Sequence, residues 1–123
     1  MRHHFRNQQS FKVQHSITGG TQLYKGARDA KGNSCLKMGS SKVIGSFKFT
    51  VDESVNQVII YVAKYKTNTT KLTINGTTYT ISKASNNGEY DAIVIDTSTT
   101  KTVDVATVSS AQRAMINTIE FWS

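Results

Sequence analysis

The chain has 123 residues, with 15 Lys and Arg against 8 Asp and Glu, one cysteine and no proline. That length suits one domain with one core; the single Cys35 excludes an internal disulfide, and no apolar run approaches the ~20 residues of a membrane span. The formal charge of +7 admits nucleic acid, an anionic polysaccharide or an anionic cell surface as partner, although lysines such as Lys25, Lys42, Lys48, Lys71 and Lys101 stand singly, as on solvent faces and strand edges.

Of residues 1–16, the first ten include Arg2, His3, His4 and Arg6 and lack alternation. They read as an N-terminal arm, flexible or foreign to the native chain, and lack the apolar segment of a signal peptide; the domain is placed at 17–123. Phe11 to Val13 and Leu23-Tyr24 have the character of short strands, separated by turns at Gly19-Gly20, Gly26 and Gly32-Asn33. Residues 34–39 alternate, with Cys35 as a small buried hydrophobe. Residues 43–51 read as a strand with Val43, Gly45, Phe47, Phe49 and Val51 on one face; a glycine there signals close backbone packing or a bulge. Residues 55–65 are the most apolar run and predict a central strand covered on both faces. Its Tyr61, opposite in parity to Val58, Ile60 and Val62, faces a second layer.

The strongest local signal is Lys71-Leu72-Thr73-Ile74-Asn75-Gly76-Thr77-Thr78-Tyr79-Thr80-Ile81. Two alternating runs flank Asn-Gly, the pair that a two-residue type I′ turn favours. The turn pairs Ile74 with Thr77, Leu72 with Tyr79 and Thr70 with Ile81, which sends Leu72, Ile74, Tyr79 and Ile81 to one face. Asn86-Asn87-Gly88 then turns into a strand over 90–95, and residues 101–108 alternate with Val103 and Val105 inward. Residues 111–122 close the chain with Met115, Ile119 and Phe121 on one parity. About eight strands without a good helix predict an all-β fold: an antiparallel two-sheet β-sandwich, jelly-roll-like.

The segments Leu36-Lys37-Met38-Gly39-Ser40-Ser41-Lys42, Gly45-Ser46-Phe47-Lys48-Phe49-Thr50-Val51, Val58-Ile59-Ile60-Tyr61-Val62-Ala63-Lys64-Tyr65, Lys71-Leu72-Thr73-Ile74-Asn75-Gly76 and Arg113-Ala114-Met115-Ile116-Asn117-Thr118-Ile119-Glu120-Phe121 occur in a characteristic order. Over about residues 17–122 this order resembles a small β-sandwich accessory domain of secreted multi-domain proteins from gut Firmicutes, mollicutes and Bacteroidetes. Such domains are similar to jelly-roll carbohydrate-binding modules and sit beside Ig-like repeats, leucine-rich repeats or extracellular nucleases. The resemblance implies a non-catalytic binding or adhesion module, monomeric within a larger extracellular or cell-surface chain, with glycan as ligand. It carries no catalytic motif and no defined ligand residues. The alternatives are a nucleic-acid-binding domain beside a secreted nuclease and a spacer without ligand; a cytoplasmic location is the other option for the compartment.

The residues themselves argue against catalysis. A glycosidase needs two carboxylates facing one cleft, and Glu89 and Asp91, two apart, read more simply as solvated. A Ser-His-Asp site needs a placed histidine, whereas His3, His4 and His15 all lie in the first 15 residues. No cofactor is expected. A structural Ca²⁺ is the one ion considered, with Asp29 and Asn33 as weak candidates opposed by neighbouring Arg28 and Lys31. Sugar recognition uses flat aromatics with amide or cationic neighbours. Tyr24, Tyr61, Tyr65, Tyr90 and Trp122 come into question, with core roles favoured for Tyr61 and Tyr79. The first ligand candidates are Tyr65 between Lys64 and Lys66, Tyr90 after the Asn86-Asn87-Gly88 turn, Arg113 at the start of the last strand and Trp122 at its end. Arg113 and Trp122 stand about 30 Å apart on an extended strand and cannot line one small site.

Overall fold

A computed structural model describes residues 20–123 and the backbone of residues 8–12. Ten strands follow in chain order: β1 (Gln8–Lys12), β2 (Leu23–Arg28), β3 (Ser34–Met38), β4 (Ser46–Thr50), β5 (Gln57–Lys64), β6 (Thr70–Ile74), β7 (Thr77–Ile81), β8 (Asp91–Asp96), β9 (Thr102–Thr107) and β10 (Ala114–Trp122). One sheet runs β2-β3-β10-β5-β8 with β1 also paired to β10, and the other runs β4-β9-β6-β7. All pairings between the strands are antiparallel. From β3 onward every connection except the β6–β7 hairpin passes from one sheet to the other, which gives the sandwich a jelly-roll-like weave. Among the described residues the helical content is one 3₁₀ turn, Ser85–Asn87, and no helix is long and apolar enough to cross a membrane.

The core lies between the sheets. Leu36, Met38, Val58, Ile60, Val62, Ile93, Ile95, Ala114, Ile116 and Ile119 of the larger sheet meet Phe47, Leu72, Ile74, Ile81, Val103 and Val105 of the smaller one. Phe49 closes one end, stacked at 6.2 Å on Phe47 and edge-on at 5.8 Å to Phe121 across the gap. β5 is central, between β10 and β8. Its outer face is sealed at Ala63, while Ile59 and Tyr61 are half-buried there, so the second layer expected over Tyr61 is not among the described residues.

The Asn-Gly hairpin has the expected register, with Ile74 opposite Thr77, Leu72 opposite Tyr79 and Thr70 opposite Ile81. Asn75 and Gly76 take φ of 48° and 86°. Asn75 also fastens the hairpin to β9: its amide N–H donates to the Asp104 carbonyl (2.9 Å), its Nδ2 donates to the Thr102 carbonyl (3.1 Å), and its Oδ1 accepts from the Asp104 N–H (2.8 Å). A side chain on Gly76 would meet open space, so replacement there tests backbone strain alone. Gly76→Val is expected to cost about 1 kcal/mol or more, read as a lower midpoint in chemical denaturation.

Four expectations are corrected. β2 runs beyond Leu23-Tyr24 to Arg28, and the segment read as an arm contributes β1, whose backbone pairs Gln8 with Trp122 and Lys12 with Thr118. The remainder of residues 1–16, including His3, His4 and His15, lies outside the described residues. The strand expected over 43–51 starts at Ser46, and Val43 and Ile44 are exposed in the preceding turn. Gly45 sits at its entrance with its backbone against Gly39 and Met38. Finally, Met115, Ile119 and Phe121 do not share a face. β10 shifts register against β5 between Ile116 and Thr118, and this bulge at Asn117 inverts the alternation. Ala114 and Ile116 point to the core before it, Ile119 and Phe121 after it, and Met115 packs on the opposite side of the sheet.

Candidate functional site

The outer face of the larger sheet carries its own small apolar cluster of Cys35, Ala63 and Met115, with Ala27, Tyr65 and Tyr90 packed against it. Above it opens a cleft of about 480 Å³ lined by β2, Lys37 of β3, Tyr65 and Lys66 after β5, and Ser85-Asn86 of the 3₁₀ turn. Alternation explains the position. Leu36 and Met38 face the core, so Cys35 and Lys37 face out. The register of β2 on β3 sets Tyr24 opposite Lys37, and an irregularity between Tyr24 and Ala27 then sets Ala27 opposite Cys35.

The cleft is cationic and aromatic. Lys37 Nζ lies 4.5 Å from the centre of the Tyr24 ring and 4.9 Å from that of Tyr65. Arg113 Cζ is 4.6 Å, and Lys66 Nζ 5.3 Å, from the Tyr65 ring centre. Three cations thus converge on one phenol ring, within the range of cation–π attraction. Arg113 is oriented by Asn68, whose Oδ1 accepts from both its backbone N–H (3.1 Å) and its Nε (3.2 Å). Lys66 turns out of the strand with φ of 54° and donates its backbone N–H to Ser85 Oγ (2.9 Å). Arg28 adds a fourth cation at the rim, donating to the Gly32 carbonyl (2.9 Å).

The wall of the cleft is built on Asp29. Its Oδ1 accepts from the Lys31 and Asn33 backbone N–H groups (both 2.9 Å), and its Oδ2 accepts from Asn33 Nδ2 (3.0 Å) and the Tyr90 hydroxyl. The Tyr90 oxygen also lies 3.1 Å from Cys35 Sγ. Burial pushes the Asp29 carboxyl up, but the hydrogen bonds from Tyr90, Asn33 and Lys31 outweigh it and lower its pKa to about 2. Burial, then the bonds to Asp29 and Cys35, push the Tyr90 phenol well above its ordinary range. The weak metal candidates Asp29 and Asn33 therefore meet each other: Asn33 turns N–H donors toward the carboxylate, and a cation would have to displace four donors. No group of three or more His, Cys, Asp or Glu with metal-binding spacing occurs among the described residues.

Of the four ligand candidates read from the sequence, Tyr65 and Arg113 come together at the cleft. Tyr90 lies under its wall with the hydroxyl turned inward, tying the turn after β2 to β3. Trp122 is at the far end of β10, where its Nε1 and the Tyr61 hydroxyl both donate to Glu120 Oε1 (3.2 and 3.0 Å). Lys37 and Arg28 escaped the sequence reading. The signal for Lys37 was its alternation with Leu36 and Met38, but its meeting with Tyr24 needed the β2–β3 register, which no turn motif announces.

No family model and no curated protein matches the chain. Among solved structures it is similar to the C-terminal family 6 carbohydrate-binding module of LamC, a marine laminarinase from Zobellia galactanivorans (TM-score 0.59, 12% identity, 95% of this chain over 100% of that one). It is also similar to CsCBM6-3 from Clostridium stercorarium, solved with cellobiose (TM-score 0.56, 15% identity, 92% of each chain). The insecticidal crystal protein Cry2Aa matches at TM-score 0.53 and 18% identity, 93% of this chain spanning 21% of that one. The chain has the β-sandwich fold of carbohydrate-binding modules, and at these identities the likeness is one of fold.

Proposed function

We propose that the protein is a non-catalytic glycan-binding module of a larger extracellular or cell-surface protein, and that it takes a saccharide in the cleft between Tyr24, Lys37, Tyr65 and Lys66. The observation that carries this reading is an open cleft of about 480 Å³, within the about 300–1,000 Å³ of small-ligand sites. It is furnished with an aromatic ring that is 40% exposed, Tyr24, and with cationic and amide donors. Those are the groups that pyranose faces and hydroxyls use. The fold shared with carbohydrate-binding modules supports the same reading. Tyr24, which carries Lys37 over its ring at 4.5 Å, offers its remaining exposed ring surface, and Lys66 and Asn86 of the same lining offer donors.

The test is calorimetric titration of the protein with a panel of neutral and acidic oligosaccharides. At least one should bind, and Tyr24→Ala should weaken it about tenfold through loss of ring contact, while Thr78→Ala on the other sheet leaves it unchanged. Absence of binding across the panel, or binding indifferent to Tyr24, would refute the module reading.

A further inference from the structure

We infer that the cleft selects an acidic glycan, one whose pyranose units carry carboxylate or sulfate groups, and that Lys37, Lys66 and Arg113 form the anion subsite. The inference rests on the glycan-binding reading above and specifies its ligand class. Three observations carry it. First, the Tyr65 ring is not a free stacking platform, because the three cations lie within 5.3 Å of its centre. Its role is to gather positive charge, and what gathered positive charge recognises is an anion.

Second, these cations have no carboxylate partner among the described residues. Lys37 is held by two rings and Arg113 by an amide oxygen through its backbone N–H and Nε. The two terminal nitrogens of Arg113 carry no hydrogen bond to the described residues, which leaves the fork that pairs bidentately with a carboxylate or sulfate. The one carboxylate on the lining, Asp29, is buried and has both oxygens bonded to donors, so it answers none of the cations. Third, the positive groups converge on one point instead of following a line. Binding a nucleic-acid strand calls for a groove that tracks successive phosphates and open aromatic faces for successive bases. A single focus at Tyr65, on the lining of a cleft of about 480 Å³ that Arg113 reaches through that ring, suits one charged sugar unit better.

The experiment titrates the protein with an oligogalacturonide, a sulfated oligosaccharide, neutral oligosaccharides of matched length and an oligo-dT strand, and repeats the titrations with Lys37→Met and Arg113→Gln. Thermal melts establish that each variant is folded, and Lys37→Met keeps the packing between the two rings. One of the two acidic saccharides should bind at least about tenfold more tightly than its neutral counterpart, and each variant should lose about tenfold of that affinity and so close most of the gap between the two. The carboxylate and sulfate arms distinguish the anion. Equal binding of neutral and acidic saccharides, unaffected by either variant, would overturn the inference and leave the glycan-module reading standing. Binding of oligo-dT in preference to every saccharide, weakened by the same variants and falling steeply with salt, would overturn both.

Discussion

Gly45→Ala should lower the stability of the domain by about 3 kcal/mol, at the upper end of what overpacking costs. A Cβ at this position would lie 2.3 Å from the Gly39 nitrogen, 2.8 Å from the Met38 carbonyl carbon and 2.9 Å from Met38 Cβ. Two of those three atoms are backbone, and none is the far end of a flexible side chain that could swing away. The clash falls where the chain leaves the larger sheet after β3 and enters the smaller one at β4. The site is also pinned from the other side: the Gly45 N–H donates to Thr107 Oγ1 (3.0 Å) and its carbonyl accepts from the Thr107 N–H (2.9 Å). Relief of the clash would therefore break two bonds at a buried threonine. Gly26→Ala is the matching control, because a Cβ there meets nothing within 4 Å, and it should leave the urea midpoint nearly unchanged. Equal midpoints for the two variants would mean that the chain at Gly45 does not approach β3 as described.

Asp29→Ala should cost about 2–3 kcal/mol, because it leaves the Tyr90 hydroxyl and the Asn33 and Lys31 N–H groups without their common acceptor. Part of that stability depends on pH, with a definite sign. The folded carboxyl titrates at about 2, below its ordinary 3.8, so its contribution is complete above about pH 4. It is lost as acid protonates the folded form, between about pH 4 and pH 2. Exposed Asp52 and Asp96 are also lowered, by Ser54 and Ser98 hydrogen bonds, and they add acid sensitivity of the same sign to any variant. The comparison that isolates Asp29 is the thermal midpoint of the native chain and of Asp29→Asn from pH 7 to pH 2. The two curves should converge as the pH falls below 4; parallel curves would count against the network.

The legible parts of the fold were those written into adjacent residues. Asn75-Gly76 fixed its own hairpin because turn type and alternation agree within eleven residues. Residues 55–65 announced a central strand because both faces are apolar. What stayed hidden depends on distant registers. The bulge at Asn117 has no composition of its own, so Met115 and Ile119 looked alike when they lie on opposite sides of a sheet. Tyr65 and Arg113 were recognised singly as aromatic and cation, but their meeting is set where the chain leaves β5 and enters β10, with the Tyr65 N–H donating to the Arg113 carbonyl (3.1 Å). Tyr90 misled for the opposite reason. A tyrosine after Asn-Asn-Gly looks solvent-facing, and only the fold brings Asp29 and Cys35 to its hydroxyl. Lys37 was given no role from the sequence, because its partner Tyr24 reaches it only through the register of β2 on β3.

The extra residue in β10 has a consequence for how this surface can change over generations. Before the bulge the even positions, Ala114 and Ile116, are committed to the interior; after it the odd ones are, Ile119 and Phe121. The strand is thus two short segments of opposite phase spliced at Asn117, the first beside β3 and the second beside β1. Drift in the half that underlies the cleft does not have to be matched in the half that carries Glu120 and Trp122. One strand thus serves two surfaces, and a substitution in the half beneath the cleft leaves the phase of the other half intact.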